Sequence, residues 1–287
     1  MISPSGVGDY AVCPYKLVLD SDFPDPVEFD MYEPHKDFGT VCHYTTQYLL
    51  GCAPDKAPTE EQLISARQCP GVPKTPSNFD ARVLKCSNLA IETLNQVSPL
   101  PAGMHWISEH HTTIPTLLPW RLGRNTGEVE GYGGSIDIMR SDRGILWDFK
   151  FVGRLPEAIK TVYLWQLASY YLCSKVRKTG ILWTTRDGNH PAHLLIDWES
   201  SPELQEFAGR VHRFIEFTGH KKFRSIAWPV KGESCFFCKH KGVRCPLYKI
   251  PAIVDDSFKG LFSTEENDLD RLIASVDLPK NQGFSIL

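Results

Sequence analysis

The sequence predicts an α/β fold, a sheet flanked by helices, and three stretches carry that expectation. Residues 128–151 alternate as two strands around a turn, residues 157–174 follow with helical apolar spacing, and residues 180–198 hold a second strand pair. The 287-residue chain is long enough to bury a substantial core around them.

Taken in order, residues 3–20 begin with Ser and Pro at helix-start positions, and Tyr10, Cys13 and Leu17 recur at helical spacing. Pro14 predicts a break within that helix. Residues 21–36 are rich in Pro, Asp and Glu and read as a loop, and residues 37–51 read as a helix ended by Gly51. Residues 52–80 carry few large apolar side chains and read as a loop or insertion with a short helix at 59–68. An amphipathic helix is expected at 80–97, and a strand with its approach at 104–122.

In the central hairpin, Asp137 lies between Ile136 and Ile138, and Ser141-Asp142-Arg143-Gly144 is turn chemistry. On the return strand, Ile145, Trp147, Phe149 and Phe151 share one face, while Leu146, Asp148 and Lys150 share the other. Strands are expected at 180–188 and 193–198, then a helix at 202–218 burying Leu204, Phe207, Val211, Phe214 and Ile215.

Composition narrows the function classes. No apolar run approaches the ~20 residues that cross a bilayer, so no membrane partner is expected. The N-terminal residues lack a basic segment followed by an apolar core, so a secretory signal is not expected and the protein reads as intracellular, in the cytoplasm or, if viral, the host cytoplasm. There is no Walker-type phosphate loop. The net charge of −3 is uneven: residues 210–249 hold ten Lys and Arg against Glu216 and Glu233, while residues 255–277 hold seven acids against Lys259 and Arg271. The basic stretch suits a phosphate backbone, and the acidic tail suits a protein partner.

The chemistry concentrates in the hairpin and the helix after it. Asp137 can face Asp148 and Lys150 across the turn, and two carboxylates held together on greasy strands call for a cation between them. Mg²⁺ or Mn²⁺, with a substrate phosphate completing the shell, is the hard ion such donors select. Gln166 and Tyr170, four apart, share a face of the next helix. Asp-x-Lys alone is better read as an ordinary surface ion pair on an amphipathic hairpin. The ordered set of Asp137, Asp148, Lys150, Gln166 and Tyr170 is more specific.

Of nine cysteines, Cys42, Cys52, Cys69, Cys86 and Cys173 have no ligand-like spacing and read as plain thiols, several of them buried. Cys235, Cys238 and Cys245-Pro246 do have it. Cys13 is placed to supply a fourth thiolate if the N-terminal helix packs on that end. By spacing alone, structural Zn²⁺ bound by these three with Cys13 or His240 is the favoured reading, since short C-x₂-C knuckles usually hold zinc.

This order of residues resembles the RecB-like branch of the PD-(D/E)XK nucleases that carry an iron–sulfur cluster, such as the CRISPR-associated single-strand exonucleases and the AddB nuclease domain. The resemblance implies a restriction-endonuclease-like core, a short mixed sheet flanked by helices. A cluster-binding region would join the N- and C-terminal segments. It implies a nuclease domain over 1–250 followed by an acidic tail over 251–287. Asp137 and Asp148 would hold Mg²⁺ or Mn²⁺, with His43, which follows Gly39 as in the family's first motif, and the Phe149 carbonyl. Lys150 would position the attacking water, and Gln166 and Tyr170 would contact substrate or steady the site. Glu109 is a further candidate. Cys13, Cys235, Cys238 and Cys245 would bind a [4Fe–4S] cluster. The implied activity is a metal-dependent deoxyribonuclease, an exonuclease on single-stranded DNA or DNA ends. The alternative is a non-catalytic or partner-dependent DNA-binding subunit of a helicase–nuclease or integration complex.

Overall fold

The central hairpin forms because the Asp142 side chain closes its turn. Asp142 Oδ1 accepts the Gly144 N–H at 2.9 Å and the Arg140 Nε–H at 2.8 Å, and Arg143 takes a positive φ of 57°. The computed structural model describes residues 4–22, 33–54, 56–114 and 132–218, with Ala227, Pro229, Cys238 and Cys245.

Around the hairpin lies a five-stranded mixed sheet, in spatial order β1 (Trp106–Ile114), β2 (Tyr132–Arg140), β3 (Ile145–Val152), β4 (Lys178–Thr185), β5 (Pro191–Asp197). The pairing of β3 with β4 is parallel and every other pairing is antiparallel. A parallel pair needs a crossover, and α6 (Thr161–Ser174) provides it.

Helices cover both faces. One core joins the sheet to α6, to α1 (Pro4–Val12) and α2 (Pro14–Asp22) through Val7, Leu17 and Val18, and to α7 (Pro202–Thr218) through Leu204, Phe207, Val211 and Ile215. The other joins it to α3 (Glu33–Leu49), α4 (Glu60–Arg67) and α5 (Pro76–Val97) through Phe38, Val41, Ala66, Phe79, Val83 and Leu94. The expected alternation of β3 holds: Leu146 packs in the first core, and Ile145, Trp147, Phe149 and Phe151 in the second. The N-terminal helix breaks at Pro14 as expected.

Several boundaries differ from expectation. The helix expected at 37–51 starts at Glu33, because Pro34 sits in its first turn, where the missing N–H costs nothing, and Glu33 complements the helix dipole. A first-turn proline likewise moves the start of α5 back to Pro76. The crossover helix starts at Thr161 rather than 157, after an extended Lys160. The short helix expected at 59–68 is α4. Thr59 and Gln62 form a reciprocal capping box at the start of α4, and Ala66, Cys69 and Val72 are buried in the second core. Of the expected strand region 104–122, residues 115–122 lie outside the described residues, as does the tail at 251–287.

Candidate active site

The hairpin's two strands part where the charged residues begin. β2 pairs with β3 at Ile138↔Trp147 and Met139↔Leu146. One step further along, where Asp137 and Asp148 would be the next pair, side chains take over the backbone groups. The Phe149 N–H donates to Asp137 Oδ2 at 2.7 Å, and the Asp137 carbonyl accepts from Gln47 Nε2 at 2.8 Å. The carboxylates therefore sit in a fork between two strands whose backbone is still satisfied. At the same point Ile136 packs in the α6-side core and Ile138 in the α3-side core, although they have the same strand parity.

Each carboxylate is held from a different helix. His43 of α3 packs its ring edge-on against Phe149 and Phe151, with centroids at 6.1 and 5.4 Å, and brings Nδ1 to 3.1 Å from Asp137 Oδ2. From α6, Gln166 Nε2 donates to Asp148 Oδ1 at 2.8 Å and the Tyr170 hydroxyl donates to the same oxygen at 3.2 Å. Lys150 Nζ lies 2.6 Å from Asp148 Oδ2, which is buried and has no well-aligned hydrogen bond, so that oxygen is held by charge alone. The Asp148 side chain is 3% exposed, against 27% for Lys150 and 21% for Asp137, so the fork opens on the Asp137–Lys150 side.

Electrostatics separate the two acids. Burial would raise Asp137, but His43, Lys150 and the Phe149 N–H outweigh it and hold this carboxyl below its ordinary range. Burial pushes Asp148 up, Lys150 only partly offsets it, and the neighbouring Asp137 charge adds to the rise. Burial disfavours the charged forms of Lys150 and His43, but the two carboxylates outweigh it and raise both. Burial, then the charges of Asp148 and Asp137, push the Tyr170 hydroxyl well above its usual range. The two acids are thus shifted in opposite directions, with the Lys150 ammonium stabilised by both.

His43, Asp137, Asp148, Lys150, Gln166 and Tyr170 are thus brought together. Sequence reasoning missed Gln47, whose signal is its position four residues after His43. Glu109 lies on β1 between Ser108 and His110, whose β2 partners are Ile138 and Ile136. Its side chain is outside the described residues. Cys13 is half-buried at the α1–α2 break, Cys238 is half-buried and Cys245 is buried. Cys235 lies outside the described residues, and with it the four-thiol arrangement as a whole. Cys42, Cys69 and Cys86 are buried thiols, as expected.

Among the described residues, no three His, Cys, Asp or Glu side chains stand together as a finished metal site. The fork nonetheless has oxygen donors that a hard cation takes, the buried Asp148 Oδ2 and the Asp137 carboxylate, with the His43 imidazole beside them. No helix among the described residues is long and apolar enough to cross a membrane.

No family model and no curated protein matches the chain. A solved structure described as "Crystal structure of SSO0001" aligns over 87% of this chain and 87% of its own, at 14% identity and a TM-score of 0.40, too slight a likeness to carry an argument.

Proposed function

We propose that this protein is a metal-dependent deoxyribonuclease with a restriction-endonuclease-like core, hydrolysing phosphodiester bonds in single-stranded DNA or at DNA ends. The observation that carries the reading is the fork. Asp137 and Asp148 lie where β2 and β3 part, each fixed by its own helix, with Lys150 beside them. A structural ion pair does not need a second acid, an imidazole and an amide converging on it.

His43, Asp137, Asp148 and the Phe149 carbonyl would hold Mg²⁺ or Mn²⁺. The ion would supply Lewis-acid stabilisation of the phosphate and activation of water. The protein's own groups do the rest. Lys150, whose pKa is raised, remains an ammonium and stabilises negative charge developing on the phosphoryl oxygens while orienting the attacking water. Gln166 and Tyr170 fix the rotamer of Asp148, and the Phe149 N–H fixes that of Asp137, so both acids are oriented before the ion arrives. Cys13, Cys235, Cys238 and Cys245 are proposed as ligands of a [4Fe–4S] cluster on their spacing in the sequence; of these, Cys13 and Cys238 are half-buried and Cys245 is buried.

The test is degradation of end-labelled single-stranded DNA with Mn²⁺ and with EDTA. Cleavage that requires the metal and is lost in Asp137→Asn supports the reading. Cleavage that survives in Asp137→Asn would mean that the fork is not the site.

A further inference from the structure

Helix α3 presents a second pair of side chains beside the two that hold the site. His43 and Gln47, four residues apart, reach the Asp137 carboxylate and the Asp137 carbonyl. Tyr44 and Tyr48 follow each of them by one residue and form the adjacent ridge. Their rings are nearly parallel, with centroids 6.4 Å apart and 23° between planes. Tyr44 is half-buried, whereas Tyr48, at 64%, is the most exposed large apolar side chain among the described residues. Tyr48 therefore offers a free aromatic face, and Tyr44 keeps its ring in one orientation at little entropic cost.

We infer that Tyr48, backed by Tyr44, is a stacking shelf for an unpaired nucleobase of the strand being cut. This rests on the nuclease reading and deepens it. A base inside a duplex already has both faces stacked and cannot use such a shelf, whereas a base in a single strand or a frayed end can. Because the shelf and the Asp137 contacts are neighbouring ridges of one rigid helix, a base stacked on Tyr48 holds a fixed register to the fork. The pair thus selects single-stranded substrate and positions it, and takes no part in bond breaking.

The experiment uses the full chain with single-stranded oligonucleotides in which 2-aminopurine, or an abasic unit, is moved one position at a time past the cleavage site. Binding is read by 2-aminopurine quenching with Ca²⁺, and KM and kcat are read with Mn²⁺. Tyr44→Ala/Tyr48→Ala is compared with Tyr48→Phe and Tyr48→Trp. The expectation is a KM raised roughly tenfold in the double variant, toward the low end of what one stacked base contributes. Its kcat stays near wild type, Tyr48→Phe and Tyr48→Trp retain wild-type KM, and an abasic unit at one position abolishes the difference between wild type and the double variant. A wild type that cuts, with a double variant whose KM is unchanged at every position, overturns the shelf and leaves the nuclease standing. A wild type that neither binds nor cuts single-stranded DNA overturns both. Because Tyr44 is half-buried, thermal unfolding of the double variant is measured beside wild type, and an unchanged midpoint separates loss of the shelf from loss of the fold.

Discussion

The Phe149 N–H donates to Asp137 Oδ2 at 2.7 Å, so a backbone donor of one strand binds the side chain of the other just past their last paired residues. The bond both ends the β2–β3 ladder and fixes the first acid. Asp137→Asn keeps the shape and removes the charge that His43 and Lys150 face. Activity is expected to fall at least ~10²-fold, as when one transition-state contact is lost. Quantitative cleavage assays check this, with circular dichroism showing a retained fold.

His43 and Asp137 make the metal-free protein's stability depend on pH in a defined window. The His43 pKa is raised above its ordinary 6.5, so its contribution is full below 6.5 and is lost as pH rises through the higher folded value. The Asp137 pKa is lowered below 3.8, so its contribution is full above 3.8 and is lost as pH falls through the lower folded value. The one pair thus stabilises most between these two ordinary values. In EDTA, the Tm difference between wild type and His43→Gln is expected to be largest there and to shrink on either side. A difference that is flat from pH 4 to pH 9 contradicts the pairing.

Gln166 and Tyr170 both bind Asp148 Oδ1. Removing either loosens an acid that is otherwise held only by the Lys150 charge. Gln166→Ala or Tyr170→Phe is expected to lower activity or metal affinity about 10–100-fold, the usual cost of losing a group that orients a ligand. Activity measured against Mn²⁺ concentration separates the two effects.

Gly8 lets α1 lie against α6. A Cβ there would meet the Val162 Cα at 2.7 Å and its carbonyl oxygen at 2.8 Å, both backbone atoms that cannot swing aside. Gly8→Ala is expected to destabilise by about 1–3 kcal/mol, the range for overpacking. Thermal denaturation measures it. Because α1 abuts the helix carrying Gln166 and Tyr170, activity should fall with it.

Much of this was legible in the sequence because period and turn chemistry are local. The alternation of β3, the Ser141–Gly144 turn and the four-residue spacing of Gln166 and Tyr170 each follow from one short stretch. The fork was not legible. It depends on Gln47, ninety residues from Asp137, taking a carbonyl that the strand pairing would otherwise use. Residues 52–80 misled for a related reason. Ala66, Cys69 and Val72 are small, and only their packing in the core beside Phe79 shows that they belong to it. The helix start at Glu33 was hidden because Pro34 looks the same in composition early in a helix and in a loop.

Lys150→Ala gives the most direct test, because the substitution removes the ammonium and leaves Asp137, His43 and the Asp148 contacts with α6 in place. Wild type and variant are purified without oxygen and incubated with end-labelled single-stranded DNA and Mn²⁺, with visible absorption read on the same samples. The account predicts metal-dependent cleavage by the wild type, binding without cleavage by the variant, and the brown absorption of an iron–sulfur cluster in both. Equal cleavage by the two proteins, or no cleavage by a folded wild type, would contradict it.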